Sequence, residues 1–227
     1  MTRPLNRLLI SALSCAALAL LPSIARADAP SNCAGADLTP TAADVPQVES
    51  ATLCLLNAER TSRGLVALRA NSRLRNAALA HSRDMVTNHY FAHDDLTGGG
   101  PEDRIAHAGY LPRYGPWVIG ENIAWGTDYL ATPREIVRAW MNSTPHRHNI
   151  LYSDFRQIGI GVVIGVPDPT LGDGATYSTE FGAKARELTQ ARRAHHARVK
   201  RGRTHRKKTA GPKCERTPNP AVTFCPN

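Results

Sequence analysis

Residues 157–165, Gln-Ile-Gly-Ile-Gly-Val-Val-Ile-Gly, alternate glycine with aliphatic side chains. That pattern predicts a buried strand with one apolar face and one face open to a close neighbour. Residues 167–174 carry turn residues, and residues 175–183 (ATYSTEFGA) read as a second strand, so the two predict a hairpin. Everything upstream has helical signals instead. Helices first and strands last point to an α+β fold rather than a parallel α/β sheet.

Working upstream, residues 132–135 (Thr-Pro-Arg-Glu) open a helix with a capping threonine, a proline at the first position and a glutamate at the third. Its apolar face is Ile136, Val137, Trp140 and Met141, and Pro145 begins another short turn through residue 150. Residues 48–63 predict a helix stopped by Gly64, with Leu53, Leu55 and Leu56 clustered in it. Asn71 or Ser72 caps a helix over 73–88, in which Leu74, Ala77, Ala78, His81 and Met85 share one face, so His81 points inward as a hydrogen-bonded core histidine. Residues 91–100 form a loop ending in three glycines, Pro101 starts a short helix to 107, and residues 118–125 are a mixed segment around Gly-Glu-Asn. Trp125 and Trp140 are both expected in the core.

The chain has 227 residues, 42% hydrophobic and 21% charged, enough for one domain with extensions. Its net charge of +9 is unevenly spread. Residues 184–216 hold 13 Lys/Arg against 2 Asp/Glu, whereas residues 28–183 hold 12 against 17, so the globular part is mildly acidic. That excludes reading the whole chain as a basic nucleic-acid binder. Residues 184–213 are expected to be a disordered, solvated basic tail, suited to solubility or to adhesion on an anionic surface. At the other end, Arg3 and Arg7 precede an apolar run over 8–21 and Ala25-Arg26-Ala27. This predicts a cleavable signal peptide, 1–27, and an exported protein; the run is too short to span a bilayer. Cys15 lies inside the run rather than at its end, which disfavours lipidation. An irregular arm, 28–47, follows. Export makes the four remaining cysteines candidates for disulfides, and the pairings that close the shortest loops are Cys33–Cys54 and Cys214–Cys225, the latter bounding a small segment, 214–227.

The chemistry concentrates in Phe-Ala-His93 and in residues 120–151, GENIAWGTDYLATPREIVRAWMNSTPHRHNIL, with Glu121 and Asn122 at one end and His146 at the other. His93, Glu121 and His146 are types that bind a divalent metal such as zinc, and equally types that form a hydrogen-bonded, pH-sensitive cluster. No metalloprotease helix motif and no nucleophile elbow is present. Ser143 lies near the site with no base assigned to it.

Taken in order, NAERTSRGL, LAHSRDM, HYFAHDD, GENIAWG, IVRAWMNSTPHRHNIL, IGIGVV and YSTEFG resemble the CAP domain of cysteine-rich secretory proteins, antigen 5 and plant pathogenesis-related proteins, and most resemble its bacterial secreted branch. The resemblance covers 48–183. It implies a three-layer α-β-α sandwich, with the Gly-Glu-Asn segment as a sheet strand. It also implies a cleft lined by two histidines and two glutamates: His93, Glu121 and His146 match three of these, and Ser143 stands where the second glutamate is expected. Asn122 and His81 would back the cleft. The family's habits imply a secreted, monomeric binding module for a small lipid-like ligand, a metal or a cell-envelope component, with a metal-dependent extracellular hydrolase as the alternative.

Overall fold

The hairpin forms as its alternation predicts. Strand β3 (Gln157–Ile164) pairs antiparallel with β4 (Gly174–Lys184), placing Ile158 opposite Phe181 and Gly161 opposite Ser178. The computed structural model describes residues 32–189, plus two short paired strands, Glu215–Arg216 and Thr223–Phe224. The expected signal peptide, the start of the expected arm, most of the expected basic tail, and Cys214 and Cys225 lie outside the described residues.

The Gly-Glu-Asn segment is a full strand, β2 (Trp117–Thr127), antiparallel to β4 with Glu121 directly opposite Glu180. A fourth strand, β1 (Arg69–Ala70), pairs parallel with β3, so the order is β1-β3-β4-β2. Two residues are too few to show an alternation, which is why the sequence holds no sign of β1. Among the described residues five α-helices cover the sheet: α1 (Val45–Thr61), α2 (Ser72–Thr87), α3 (Pro101–His107), α4 (Pro133–Asn142) and α5 (Thr144–Leu151). Helix α1 starts three residues earlier than its apolar pattern predicts, because Pro46 serves its first turn. The end of the expected arm is therefore helical. The start of α2 follows its cap: the Asn71 side chain accepts from the N–H groups of Arg73 and Leu74.

Helices α2 and α3 pack on one face of the sheet and α1, α4 and α5 on the other, completing an α-β-α sandwich. On the α2 face β3 presents glycine. A Cβ on Gly159 would lie 2.0 Å from the backbone of Leu74 and Arg75, and one on Gly161 2.2 Å from that of Leu79. The other face carries Ile158, Ile160, Tyr177 and Phe181 into a core with Leu55, Leu56, Val137 and Trp140. Two ties complete that side. Cys33 and Cys54 form the predicted disulfide, pinning residues 32–44 to α1; closing a loop of this length contributes about 3 kcal/mol. The guanidinium of Arg60 on α1 is fully buried and donates to the carbonyls of Val66, Ile150, Tyr152 and Phe155. Trp140 is buried as expected, but Trp125 is 36% exposed and is not a core residue. It sits near the end of β2, on the face that α2 leaves uncovered there.

Strand β2 is an edge of the sheet, and its outward carbonyls near the middle are taken by side chains. Asn149 on α5 donates to Glu121 O (2.9 Å) and Trp140 Nε1 on α4 donates to Ile123 O (3.0 Å).

Candidate functional site

The site is built around the middle of β2. Successive strand residues point to opposite faces, so Glu121 faces α2 and α3 while Asn122 faces α5. Both side chains are buried, and each organises one half of the site.

On the α2 face, Glu121 accepts from His93 Nδ1 at 2.6 Å and from Arg104 Nη2 at 2.7 Å. Arg104, on α3, also donates to His93 O (2.9 Å) and to Gly99 O (3.2 Å), so one guanidinium holds the carboxylate and the loop that carries the histidine. His81, inward on α2 as predicted, donates from Nε2 to Ala92 O at 3.0 Å and fixes the same loop one residue earlier. Burial keeps His81 neutral by lowering its pKa, which leaves Nδ1 without a proton or a partner. The His93 side chain is 53% exposed; its bond to Glu121 raises its pKa and favours the imidazolium. Glu121 is driven the other way: its bonds and the Arg104 charge outweigh burial and hold it ionised.

Beneath Glu121 lies a second carboxyl, Glu180 of β4. It is fully buried, 3.9 Å from Arg104 Nε, and no protein donor reaches either oxygen. Burial first, and then the Glu121 charge, push its pKa well above the ordinary carboxylate range. The neutral acid is therefore the favoured form of Glu180. The unfolded chain releases this proton above pH about 4.5, the ordinary glutamate value, while the folded chain keeps it. Rising pH thus favours unfolding over the interval between the two values. Glu180→Gln keeps the size and polarity of the side chain and removes the linked proton. In thermal melts it should raise the midpoint at pH 7 relative to wild type and match wild type near pH 4. A midpoint that falls at pH 7 would show that Glu180 is ionised in the fold.

On the opposite face, Asn122 Nδ2 donates to His146 O at 3.1 Å and its Oδ1 accepts from Asn149 at 3.0 Å, which docks α5 onto the strand. Ser143 is both the last cap of α4 and the first cap of α5. Its Oγ lies 2.8 Å from His146 Nδ1. The base that the sequence did not assign to Ser143 is thus three residues away. Burial first, and the nearby His93 charge second, lower the pKa of His146 and hold it neutral.

The structure therefore brings His93 and Glu121 together with His81 behind them, and pairs His146 with Ser143 and Asn122. The three-ligand metal centre of His93, Glu121 and His146 does not fit. Among the described residues no group of three His, Cys, Asp or Glu side chains is arranged to hold a metal ion, and both Glu121 oxygens are engaged by His93 and Arg104. Three members were missed from sequence. Arg104 looked like one more polar residue of a short helix. Glu180 lies in the strand over residues 175–183, whose pattern alone gives it no role. Asn149 had only its place beside the two histidines as a signal.

Residues 53–171 match the Cysteine-rich secretory protein family, CAP. The chain belongs to this family. Two Bacillus subtilis proteins are similar to its CAP domain. "Uncharacterized protein YkwD" is 40% identical over 125 residues, covering 55% of this chain and 46% of its own length. "Uncharacterized membrane protein YlbC" is 34% identical over 116 residues, covering 50% and 31%. The chain thus spans less than half the length of either relative. Among solved structures, the CAP domain is similar to an extracellular protein containing a SCP domain from Bacillus anthracis, with TM-score 0.48 and 28% identity over 63% of this chain and 43% of that one. A cysteine-rich secretory protein from Staphylococcus aureus gives TM-score 0.45 and 19% identity over 63% and 41%.

Proposed function

We propose that this is an exported CAP-domain binding module whose cleft takes a small lipid-like ligand at the cell envelope. The observation that carries the reading is His93: a half-exposed imidazole, Nδ1 locked onto a buried carboxylate, presented on a loop fixed from behind by His81 and Arg104. A donor preorganised in this way suits a hydrogen-bond acceptor on a ligand head. Apolar surface lies on the same elements. Phe91 precedes His93 on the loop and Trp125 shares the strand face of Glu121; with His89, Tyr90, Pro167 and Pro169 they line a cavity of about 340 Å³. Polar donor and aromatic cavity together fit a ligand with an acceptor head and an apolar body. The predicted signal peptide and the Cys33–Cys54 bond support export, and the basic tail suits an anionic envelope surface.

The test is mass spectrometry of small molecules that co-purify with the exported chain, wild type against His93→Ala. Losing one charge-assisted hydrogen bond should lower occupancy by about 10-fold or more. The same molecule retained at the same occupancy by His93→Ala would remove the cleft from the binding account.

A further inference from the structure

The Ser143–His146 pair is unusual for a helix start. A capping serine normally turns its Oγ to the backbone N–H of the second or third helical residue. In α5 the second residue is Pro145, which has no N–H, and Ser143 makes no side-chain cap bond; its Oγ goes to the imidazole of His146 instead. That imidazole is held in place through its own backbone, since Asn122, wholly buried, donates to His146 O. Ser143 itself sits on the elbow between α4 and α5 in an extended conformation, with its N–H bonded back to Ala139 O and Trp140 O. Hydroxyl and ring are thus fixed by two different elements, and both residues remain partly open to solvent.

We propose that Ser143 is a nucleophile and His146 its general base, forming a metal-independent site for activated carboxylic esters. This goes beyond the binding reading and does not rest on it. Ser143 Oγ adds to the ester carbonyl carbon while its proton passes to His146 Nδ1. The carbonyl π pair moves onto oxygen. The C–O bond to the leaving alcohol then breaks, and that oxygen takes the proton from His146. Water repeats the two steps on the acyl-serine, releasing the acid and restoring Ser143.

The same surroundings set the substrate class. His146 has no carboxylate partner among the described residues, and the His93 charge bears on it. Its imidazolium is therefore poorly stabilised, and only a good leaving group departs before the proton returns to serine. His146, favoured as the neutral imidazole, serves as the base first and then, once protonated, as the acid.

A fluorophosphonate probe on the mature full chain tests this, with intact mass, peptide mapping and the rate of adduct formation from pH 4 to 8. The expected result is a single adduct on Ser143, with a rate that rises through a midpoint below the ordinary imidazole value. Ser143→Ala should abolish the adduct, and His146→Gln should slow it by about 100-fold or more. p-Nitrophenyl acetate hydrolysis should follow the same order. No adduct at saturating probe, an adduct on another residue, or a wild-type rate flat with pH would each overturn the proposal. The wild-type profile needs no variant, so a variant that misfolds does not decide the outcome. A His93→Ala protein that keeps its ligand would count against the binding reading, whereas the Ser143 proposal is decided by the wild-type adduct and its pH profile.

Discussion

Arg60→Ala lowers the unfolding free energy by about 3–5 kcal/mol, measured by urea denaturation. Val66, Ile150, Tyr152 and Phe155 each direct a C=O at the Arg60 guanidinium. Phe155 O keeps a second donor in Arg156 Nη1, and the Val66 and Tyr152 bonds are only partly buried, so the loss amounts to about two buried acceptors left without a donor at about 1–3 kcal/mol each. No carboxylate pairs with Arg60 in any of these contacts. Burial, with Arg156 nearby, lowers its pKa to about 10, so it remains charged at neutral pH. It persists because carbonyl dipoles replace its water. Arg60→Lys recovers little, because one ammonium group has three donors and cannot span the fork. Since typical domains are stable by only 5–15 kcal/mol, the alanine variant sits near the limit of folding. If urea midpoints of wild type and Arg60→Ala agree within error, the buried network contributes nothing net.

Gly161→Ala is the second large effect, with Gly159→Ala as its companion. Each adds one methyl group, yet that methyl meets the backbone of α2 at 2.2 Å or 2.0 Å. Overpacking a core costs about 1–3 kcal/mol when side chains can move aside. A helix backbone cannot, so the expected loss is about 3 kcal/mol or more, and α2 must lift from β3. His81 and Ser82 ride on that helix, and Ser82 Oγ donates to Gly161 O at 2.9 Å. The displacement should therefore reach the His93 loop and lower thermal stability and ligand occupancy together. A Gly161→Ala protein with an unchanged melting temperature would mean that α2 does not seat on β3 as closely as 2.2 Å implies.

The local signals carried well. The β3–β4 hairpin, the Asn71 and Thr132 caps and the inward His81 were all legible, because each depends on neighbours a few residues away. The candidate site was legible only in part. Along ATYSTEFGA, Thr176, Ser178 and Glu180 occupy alternate positions, which in an isolated hairpin reads as the watered face. Helix α2 covers that face instead, so Ser178 meets Ser82 and Glu180 is sealed beneath Glu121. Residue type alone cannot show a cover supplied from a hundred residues upstream. The metal trio failed for a related reason: the three side chains are correct ligand types, but Arg104 enters from α3 and takes one Glu121 oxygen.

Strand β2 has one consequence for how this protein fails. Unpaired edge strands recruit other strands, and a long one is an aggregation template. Here the blockade is Asn149 and Trp140, two side chains of the same helical unit that positions Ser143 and His146. If α4 and α5 come away, the reactive elbow is dismantled and the sticky edge is uncovered in one event. Detachment of the two helices, unlike a substitution at Ser143 or His146 that leaves them docked, should therefore appear as loss of activity and aggregation together.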